Sequence, residues 1–321
     1  MNKEIGGYFE LEKLVNKEYY PNFIALNTAR NALLYLLKAR NIAKLYIPYF
    51  LCNSIVNLLE KEQYQYEYYF INKQFLPEIK SGLKEKEFIY IVNYFGQITN
   101  KKLLQLQEQY KNIIIDNVQA FFQKPIQGID TIYSCRKFFG VSDGAYLATE
   151  AKLEESLDVD VSKNRMIHLL GRFEGSATEY YQNFKENDKS FTDIPLRYMS
   201  KLTHNILGAI DYQCIKKKRN ENYRILAEEL ESYNPLSLRL PNGPYCYPFY
   251  CEEGLKVKKV LAEKKIYVPT LWPNVLTLEG TLEKDYAENI LPLPCDQRYD
   301  KKDMKQIARE IENYLDGNKN D

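Results

Sequence analysis

Strand-like and helix-like segments alternate through the first part of the chain, and this order constrains the fold more than any other feature. Apolar runs of strand length alternate with longer runs whose apolar residues recur at helical spacing. The strand-like runs are NFIALN, KLYIPYF, YQYEYYFI, EFIYIVNYFG, NIIIDNV, DTIYSCRKFF and DGAYLATE, and the helix-like runs are ARNALLYLLKARN, NSIVNLLEKEQ and NKKLLQLQEQYK, the last with Asn100 as its predicted N-cap. This alternation predicts an α/β protein with a mixed, mostly parallel sheet covered on both faces.

The pattern changes in the rest of the chain. Residues 151–233 are helical in pattern, and DIPLRYMSKLTHNILGAIDYQCIKKKRNENYRILAEELESY predicts one long helix or two in series. Beyond them, LSLRL and YCYPFYC are strand-like, GLKVKKVLAEKK and KKDMKQIAREIENYLD are helix-like, and IYVPTLW and ILPLPCD lie between those helices. We therefore predict a large domain over 1–233 and a small α+β domain over 234–321, with a frayed tail, GNKND.

Charge and hydropathy exclude several classes of protein. The formal net charge is +1, so the chain lacks the basic surplus of a nucleic-acid-binding domain. Because it contains no run of about 18 apolar residues, we expect no membrane-spanning helix. The first residues, MNKEIGGYFELEKL, lack the apolar core of a secretory signal.

Cysteine and histidine usage narrows the chemistry further. The six cysteines show no CxxC spacing, which favours reduced thiols and a cytoplasmic location and argues against a zinc site. The two histidines, His168 and His204, lie in helix-like stretches, where packing or surface roles are expected. A Ser-His-Asp hydrolase and a histidine-ligated metal centre are therefore not expected.

Polar residues interrupt the pattern at the ends of three predicted strands. These breaks are Asn27–Arg30, Asp116–Gln119 and Ser134–Lys137. In open α/β sheets, ligands bind at the carboxyl ends of the strands. We therefore expect these three segments to form one ligand site.

Asp116 directly follows three isoleucines, at the end of a predicted buried strand. Burial of a lone carboxylate costs several kcal/mol unless a cation or hydrogen-bond donors meet it. One interpretation is a helix N-cap that binds free N–H groups. The other is a partner for a protonated ring nitrogen, in which case Gln119 could reach a second polar group of the same ring.

The stretch SCRKFFGVSDGA places a hydroxyl and an amine three residues apart, at Ser134 and Lys137. A lysine amine attacks carbonyls well only when desolvation or a nearby cation lowers its pKa. The aromatic pair Phe138–Phe139 would supply the apolar surroundings, and Arg136 is a candidate for the cation. The alternative is a loop lysine in solvent.

Taken together, these segments resemble the DegT/DnrJ/StrS family of sugar aminotransferases. The resemblance covers most of the chain and is carried by LNTARNALLYLL, YIPYFLCNSI, IVNYFGQ, IIIDNVQA, KFFGVSDGAYLAT, LRYMSKLTHNILGAIDYQ and IYVPTLWP. It implies the aspartate-aminotransferase fold, the cofactor pyridoxal 5′-phosphate (PLP) and a homodimer.

The resemblance also implies roles for individual residues. Lys137 would form the Schiff base with the cofactor and later carry the proton between Cα and C4′. Asp116 would pair with the pyridinium nitrogen, and Gln119 would bind the ring's O3′. The phosphate ligands would be the hydroxyl of Ser134 and the backbone of the first helical turn, at Ala29, Arg30 and Asn31.

The chain departs from the family pattern at several of these positions. Ala29 replaces the glycine of the phosphate loop, and Arg30-Asn31 replaces the Thr-Ser pair, so Arg30 is a further candidate phosphate ligand. The aromatic residue that stacks on the cofactor falls on Cys52, or shifts to Phe50 or Tyr49. The asparagine that reaches the neighbouring subunit's phosphate becomes Pro195, and the arginine that follows is retained as Arg197.

The predicted function is transfer of an amine from an amino acid such as glutamate to a nucleotide-linked keto-sugar, for synthesis of surface polysaccharide. One alternative is a non-catalytic or regulatory member that binds PLP or a sugar nucleotide. A further alternative is a PLP-dependent sugar dehydratase. Arg30, Tyr94 and Trp272 are candidate contacts for the acceptor or a phosphate.

Overall fold

The computed structural model describes residues 7–14, 17–79 and 82–317. Within them, eight strands form one sheet in the order β1-β8-β7-β6-β5-β2-β3-β4, and two more form a small second sheet. The strands are β1 Ile24–Leu26, β2 Lys44–Pro48, β3 Gln65–Ile71, β4 Pro77–Glu78, β5 Glu87–Val92, β6 Ile113–Asp116, β7 Asp130–Ser134, β8 Ala145–Ala148, β9 Tyr247–Tyr250 and β10 Ile290–Leu293. The α-helices are α1 Ala29–Ala39, α2 Asn53–Lys61, α3 Asn100–Tyr110, α4 Ile167–Glu174, α5 Tyr181–Ser190, α6 Lys201–Leu207, α7 Tyr212–Leu230, α8 Gly254–Glu263, α9 Leu282–Asn289 and α10 Lys301–Gly317.

Five neighbouring strands of the large sheet run parallel, namely β3, β2, β5, β6 and β7. At one edge β8 and β1 run antiparallel to their neighbours, and at the other edge β4 does so. The predicted mixed, mostly parallel sheet is therefore confirmed. Its central strand β6 is buried throughout, which explains its unbroken run of isoleucines.

The register brings the polar strand ends to one edge of the sheet. Val92 pairs with Asp116 across β5 and β6, and Asp116 pairs with Ile132 across β6 and β7. Because the strands are parallel, the residues that follow each of them emerge on the same side. The segments after β5, β6 and β7 therefore lie beside one another.

The C-terminal part contains a second apolar cluster around the antiparallel pair β9–β10. Helices α8 and α10 contribute to it, and so does α7 through Tyr223, Leu226 and Leu230. The predicted domains, 1–233 and 234–321, stay a prediction.

The predicted helical stretch before residue 233 contains two helices in series, α6 and α7, which is the second of the two predicted arrangements. Helix α6 ends before Gly208, and α7 begins after Asp211, whose side chain accepts a hydrogen bond from the N–H of Cys214. Of the tail GNKND, Gly317 is the last residue of α10 and the other four residues lie outside the described part of the chain.

Two local predictions are wrong for identifiable reasons. LSLRL forms no strand, because side chains satisfy its backbone: the N–H of Leu236 donates to Asn234 and that of Arg239 to Gln97. The N-cap of α3 is Thr99, not Asn100, since the hydroxyl of Thr99 accepts from the N–H of Lys102. Such one-residue errors are usual at helix ends.

In the part of the chain that the structure describes, no helix has both the length and the apolar character needed to cross a membrane. The same residues contain no cluster of three or more His, Cys, Asp or Glu side chains that could bind a metal ion.

Candidate functional site

Asp116 is the last residue of β6 and is only 4% exposed. Its Oδ2 accepts a hydrogen bond from the hydroxyl of Tyr90 at 2.6 Å, and its Oδ1 accepts from the N–H of Val118 at 2.8 Å. Turns, not a helix, follow it, so the helix N-cap interpretation is wrong. Burial raises the pKa of this carboxyl, although the bonds from Tyr90 and Val118 and the charge of Lys137 lower it.

Gln119 has one half of its amide bonded and the other half free. Its Oε1 accepts a hydrogen bond from the N–H of Phe95 at 2.7 Å. Phe95 has φ 53°, a left-handed conformation that non-glycine residues rarely adopt, and this conformation accompanies that bond. The Nε2 of Gln119 is buried and has no partner among the described residues. A buried donor without an acceptor costs about 1–3 kcal/mol, so this amide is suited to an incoming oxygen.

Lys137 lies in a turn just beyond β7, where the N–H groups of Phe138 and Phe139 both donate to the carbonyl of Cys135. The side chain reaches solvent, and its Nζ is 5.3 Å from the centroid of the Tyr245 ring. Loss of solvation lowers the pKa of Lys137, and the charge of Arg136 also lowers it. Tyr245, Cys52 and Asp116 raise the pKa more, so the net shift is upward, opposite to the lowered pKa expected of a nucleophilic lysine. In this state the amine is protonated, with Asp116 as a neighbouring charge.

The first turn of α1 has unpaired donors. The side chain of Thr28 caps the helix by accepting the N–H of Asn31 at 3.1 Å. In the described part of the chain, the N–H groups of Ala29 and Arg30 have no partner. Ser134, at the end of β7, is 7% exposed, and no described residue bonds to its hydroxyl.

Asn31, which is predicted to bind phosphate through its backbone, is occupied within this chain. Besides giving its N–H to Thr28, it donates its side-chain amide to Asn27 Oδ1 at 2.8 Å and to the carbonyl of Pro195 at 2.9 Å. Pro195 therefore packs over the start of α1 through its backbone. As a phosphate ligand, Asn31 stays a prediction.

Cys52 lies just before the first residue of α2 and is exposed. The two aromatic residues that could substitute for it point elsewhere. Phe50 is buried, with its ring centroid 4.4 Å from that of Trp272, and Tyr49 stacks on Tyr68 at 4.4 Å. Of the three candidate positions, Cys52 alone keeps an exposed side chain near Lys137.

The remaining candidate contacts are held by the protein itself. Tyr94 is 1% exposed and donates its hydroxyl to the carbonyl of Phe50 at 2.7 Å. Trp272 packs edge-on against Phe50 and Tyr94. Arg30 donates from its NH1 to the carbonyl of Phe191 at 2.8 Å. Tyr94 therefore has no free polar group for a ligand, whereas Arg30 keeps most of its five N–H donors.

A fully buried arginine, which the sequence analysis does not identify, supports the lysine turn from behind. Arg219 on α7 donates to the carbonyl of Phe138 at 3.2 Å, to that of Pro244 at 2.8 Å and to Gln297 Oε1 at 2.8 Å. Gln297 also donates to the carbonyl of Phe138, at 2.8 Å. The backbone next to Lys137 is thus tied to C-terminal segments.

A cavity of about 620 Å³ lies beside this site, between α1, α2 and residues 188–197. Arg30 and Asn31 line it, but Asp116 and Lys137 do not. The residues with the relevant chemistry therefore lie at the strand ends and not in this cavity.

Comparison with known proteins identifies the fold. No family model and no curated protein matches the chain. Among solved structures, a DegT DnrJ EryC1 StrS aminotransferase from Brucella abortus matches with a TM-score of 0.62 and 15% identity, covering 91% of this chain and 85% of that one. NtdA from Bacillus subtilis, with bound cofactor PMP, matches with a TM-score of 0.62 and 15% identity, covering 89% of this chain and 73% of that one.

A third structure has the same arrangement. PseC from Helicobacter pylori, an aminotransferase involved in the biosynthesis of pseudoaminic acid, matches with a TM-score of 0.59 and 14% identity, covering 89% of this chain and 85% of that one. These likenesses extend over most of each chain, and they agree with the resemblance carried by the sequence motifs. The chain has the aspartate-aminotransferase-like fold that sugar aminotransferases of the DegT/DnrJ/EryC1/StrS type also have.

Proposed function

We propose that the protein is a PLP-dependent aminotransferase of this family, which transfers an amine from an amino acid such as glutamate to a nucleotide-linked keto-sugar for surface polysaccharide. The observation that carries the proposal is the unpartnered Nε2 of Gln119. It is buried three residues after a buried carboxylate whose charge acts on Lys137. An acid, an amide donor and an amine are thereby gathered at one edge of the sheet.

These groups fit the polar atoms of PLP one by one. Asp116 would hold the proton on the ring nitrogen, because both hydrogen bonds to its buried carboxylate come from neutral donors. Gln119 would donate its free N–H to the phenolic oxygen O3′. Lys137 would meet the aldehyde carbon, and the free donors of Ala29, Arg30 and Ser134 would face the phosphate. NtdA, the structural neighbour with bound cofactor PMP, supports the choice of cofactor.

When bound, PLP supplies an aldehyde that takes up amines and a protonated ring that withdraws electrons. The chain's own residues do the rest. Asp116, which is buried, would keep the ring nitrogen protonated. Lys137 holds a proton in the unliganded state, as its raised pKa indicates, and would pass a proton to and from a substrate carbon.

Two measurements test the assignment. Incubation with PLP, reduction with borohydride and peptide mass spectrometry should find the mass of reduced PLP on Lys137. The Lys137→Ala variant should take up no label, whereas a control at the exposed Lys217, Lys217→Ala, should be labelled normally. Glutamate should then shift the absorbance of the loaded protein to shorter wavelength. Labelling without a shift by any amino donor favours the non-catalytic alternative, and labelling at other lysines only contradicts the proposal.

The homodimer and the cytoplasmic location follow from the resemblance and the composition, and they remain predictions. Light scattering during gel filtration should give twice the mass of one chain. A strictly monomeric protein that is fully loaded with PLP would contradict the dimer.

A further inference from the structure

Two arginines contact Phe191, Arg30 at its backbone carbonyl and Arg136 at its ring. Arg30, in the first turn of α1, donates to the carbonyl of Phe191 at 2.8 Å. Arg136, the residue before Lys137, places its guanidinium carbon 4.1 Å from the centroid of the Phe191 ring. The charges of the two arginines act on each other, and that of Arg30 also responds to Cys52. The pair therefore lies close to Lys137, next to the free donors of α1.

One exposed carboxylate meets this pair. Arg136 NH2 and Asp188 Oδ1 are 3.1 Å apart, and the side chain of Asp188 is 66% exposed. The Arg136 side chain is half-buried at 24% exposure, but its partner lies largely in solvent. Water therefore screens the pair, which contributes little, on the order of 1 kcal/mol, and another anion can displace Asp188 at little cost. Asp188 lies on α5, near its end, and three residues before Phe191.

We propose that the Arg136–Asp188 ion pair is the unliganded form of a phosphate subsite, and that the phosphate of a bound ligand replaces Asp188 as the partner of Arg136. The inference rests on the proposed function, since the ligand phosphate is that of PLP. Under this proposal, Arg30 and Arg136 bind the phosphate that a Gly-Thr-Ser loop binds in the family pattern. The carboxylate of Asp188 competes with that phosphate for Arg136.

The donors around this point match a phosphate dianion better than a carboxylate. Besides the two guanidinium groups, the candidate donors are the N–H groups of Ala29 and Arg30 in the first turn of α1 and the hydroxyl of Ser134 at the end of β7. Two positive charges against the single charge of Asp188 leave a local excess of +1. Arginine forks bind phosphate oxygens in pairs, and free helix N–H groups add to them.

The surroundings support a positive potential here. The pKa of His168 is lowered, first by burial and then by the charge of Arg136. Arg165 also approaches the Phe191 ring, at 5.5 Å, but it is paired with the buried Asp160 at 2.7 Å. Arg30 and Arg136 are therefore the cations that a ligand can recruit.

The experiment compares PLP with pyridoxal, which lacks the phosphate. Each compound is titrated, trapped on Lys137 with borohydride and quantified by peptide mass spectrometry. The phosphate preference is the ratio of the two half-saturation concentrations. Arg136→Met should lower this preference roughly 10- to 100-fold by weakening PLP alone, as expected for loss of a charged hydrogen bond.

The second variant, Asp188→Asn, should raise the preference for PLP over pyridoxal. Asp188→Asn removes the competitor, so PLP should bind about 2- to 5-fold more tightly, with pyridoxal unchanged. Arg172→Met, on the exposed surface of α4, should change neither titration. Unchanged pyridoxal trapping also shows that each variant is folded.

Other outcomes overturn the inference. An Arg136→Met protein with the wild-type preference, or an Asp188→Asn protein with weaker PLP binding, excludes the exchange while leaving the proposed function intact. Should Arg136→Met trap neither compound, the sign of the Asp188→Asn effect decides alone. If the wild-type protein traps neither compound on Lys137, the proposed function fails as well.

Discussion

At one end of the candidate site, Asp116 and Gln119 are at most 4% exposed, and Tyr90 and Phe95 fix their side chains from neighbouring segments. At the other end, Arg136 is held by Asp188, whose side chain is 66% exposed. The first region, the ring end, is set by strand register and by bonds inside the protein. The second region, the phosphate end, is held by the ion pair between Arg136 and the exposed Asp188. The ring end should therefore act as a fixed template, whereas the phosphate end should respond to its surroundings.

The largest expected effect comes from neutralising the ring end. Asp116→Asn keeps the shape but removes the charge that holds the ring proton, so kcat should fall roughly 100- to 1000-fold, as for loss of one preorganised electrostatic contact. Trapping of PLP on Lys137 should persist, because the phosphate end is untouched. The rate of the half-reaction with glutamate measures the effect. A variant with wild-type kcat would contradict the role of Asp116.

The same variant should be more stable than the wild type when no ligand is bound. The folded-state pKa of Asp116 is raised above its unfolded value, chiefly by burial. Ionisation therefore costs folding free energy, a cost absent below the unfolded pKa and fully present above the folded pKa. Urea unfolding at neutral pH should favour Asp116→Asn, and the advantage should vanish in acid. An advantage that does not change with pH would point to packing instead.

The next largest effect is expected from Arg219, whose replacement should lower the free energy of unfolding. Arg219→Met leaves the carbonyl of Pro244 and Gln297 Oε1 without their donor, and the carbonyl of Phe138 loses one of two. The free energy of unfolding should fall by about 2–4 kcal/mol, because several buried acceptors lose partners. Arg224→Met, exposed on the same helix, is the matched control and should change stability little. If both variants lost the same free energy of unfolding, the buried hydrogen bonds of Arg219 would not stabilise the fold.

The two regions also differ in how far the sequence predicts them. The alternation of strands and helices predicts that Asp116, Ser134 and Lys137 lie at one edge of the sheet, because parallel strands bring their carboxyl ends together. Their roles rest on the family resemblance and stay predictions. The bond from Tyr90 to Asp116 is not predictable in this way, since a tyrosine in a buried strand looks like any other core residue. The role of Arg219 is likewise not predictable from the sequence, because this residue binds a carbonyl 81 residues away.

The strand prediction for LSLRL failed because side chains satisfy N–H groups of this segment. Asn234, two residues away, accepts from Leu236, and the distant Gln97 accepts from Arg239. At the phosphate end, the backbone contact predicted for Asn31 stays a prediction, and its N–H is given to Thr28. Arg136 and Asp188 come together only through the packing of α5, which the sequence pattern does not reveal.

A smaller effect is expected from Gln119. Gln119→Leu removes the buried donor that we propose for the ring oxygen, so PLP and pyridoxal should both bind about 10-fold more weakly, consistent with one hydrogen bond. The unchanged ratio between them would separate this variant from Arg136→Met. The substitution also leaves the N–H of Phe95 unpaired, which should lower stability. Weakening of PLP alone would show that Gln119 serves the phosphate end.

The smallest expected effect is that of ionic strength, which should weaken binding at the phosphate end more than at the ring end. Exposed charges are screened once the Debye length falls to a few ångströms, from about 10 Å at 0.1 M salt to about 3 Å at 1 M. Since Arg136 is 24% exposed on its side chain, salt should reduce the preference for PLP over pyridoxal by a few-fold, about the scale of one exposed ion pair. Pyridoxal trapping, which depends on the buried ring end, should hardly change. If salt weakens both compounds equally, the ring end is as accessible to ions as the phosphate end, and the contrast between a fixed template and a responsive anion site fails.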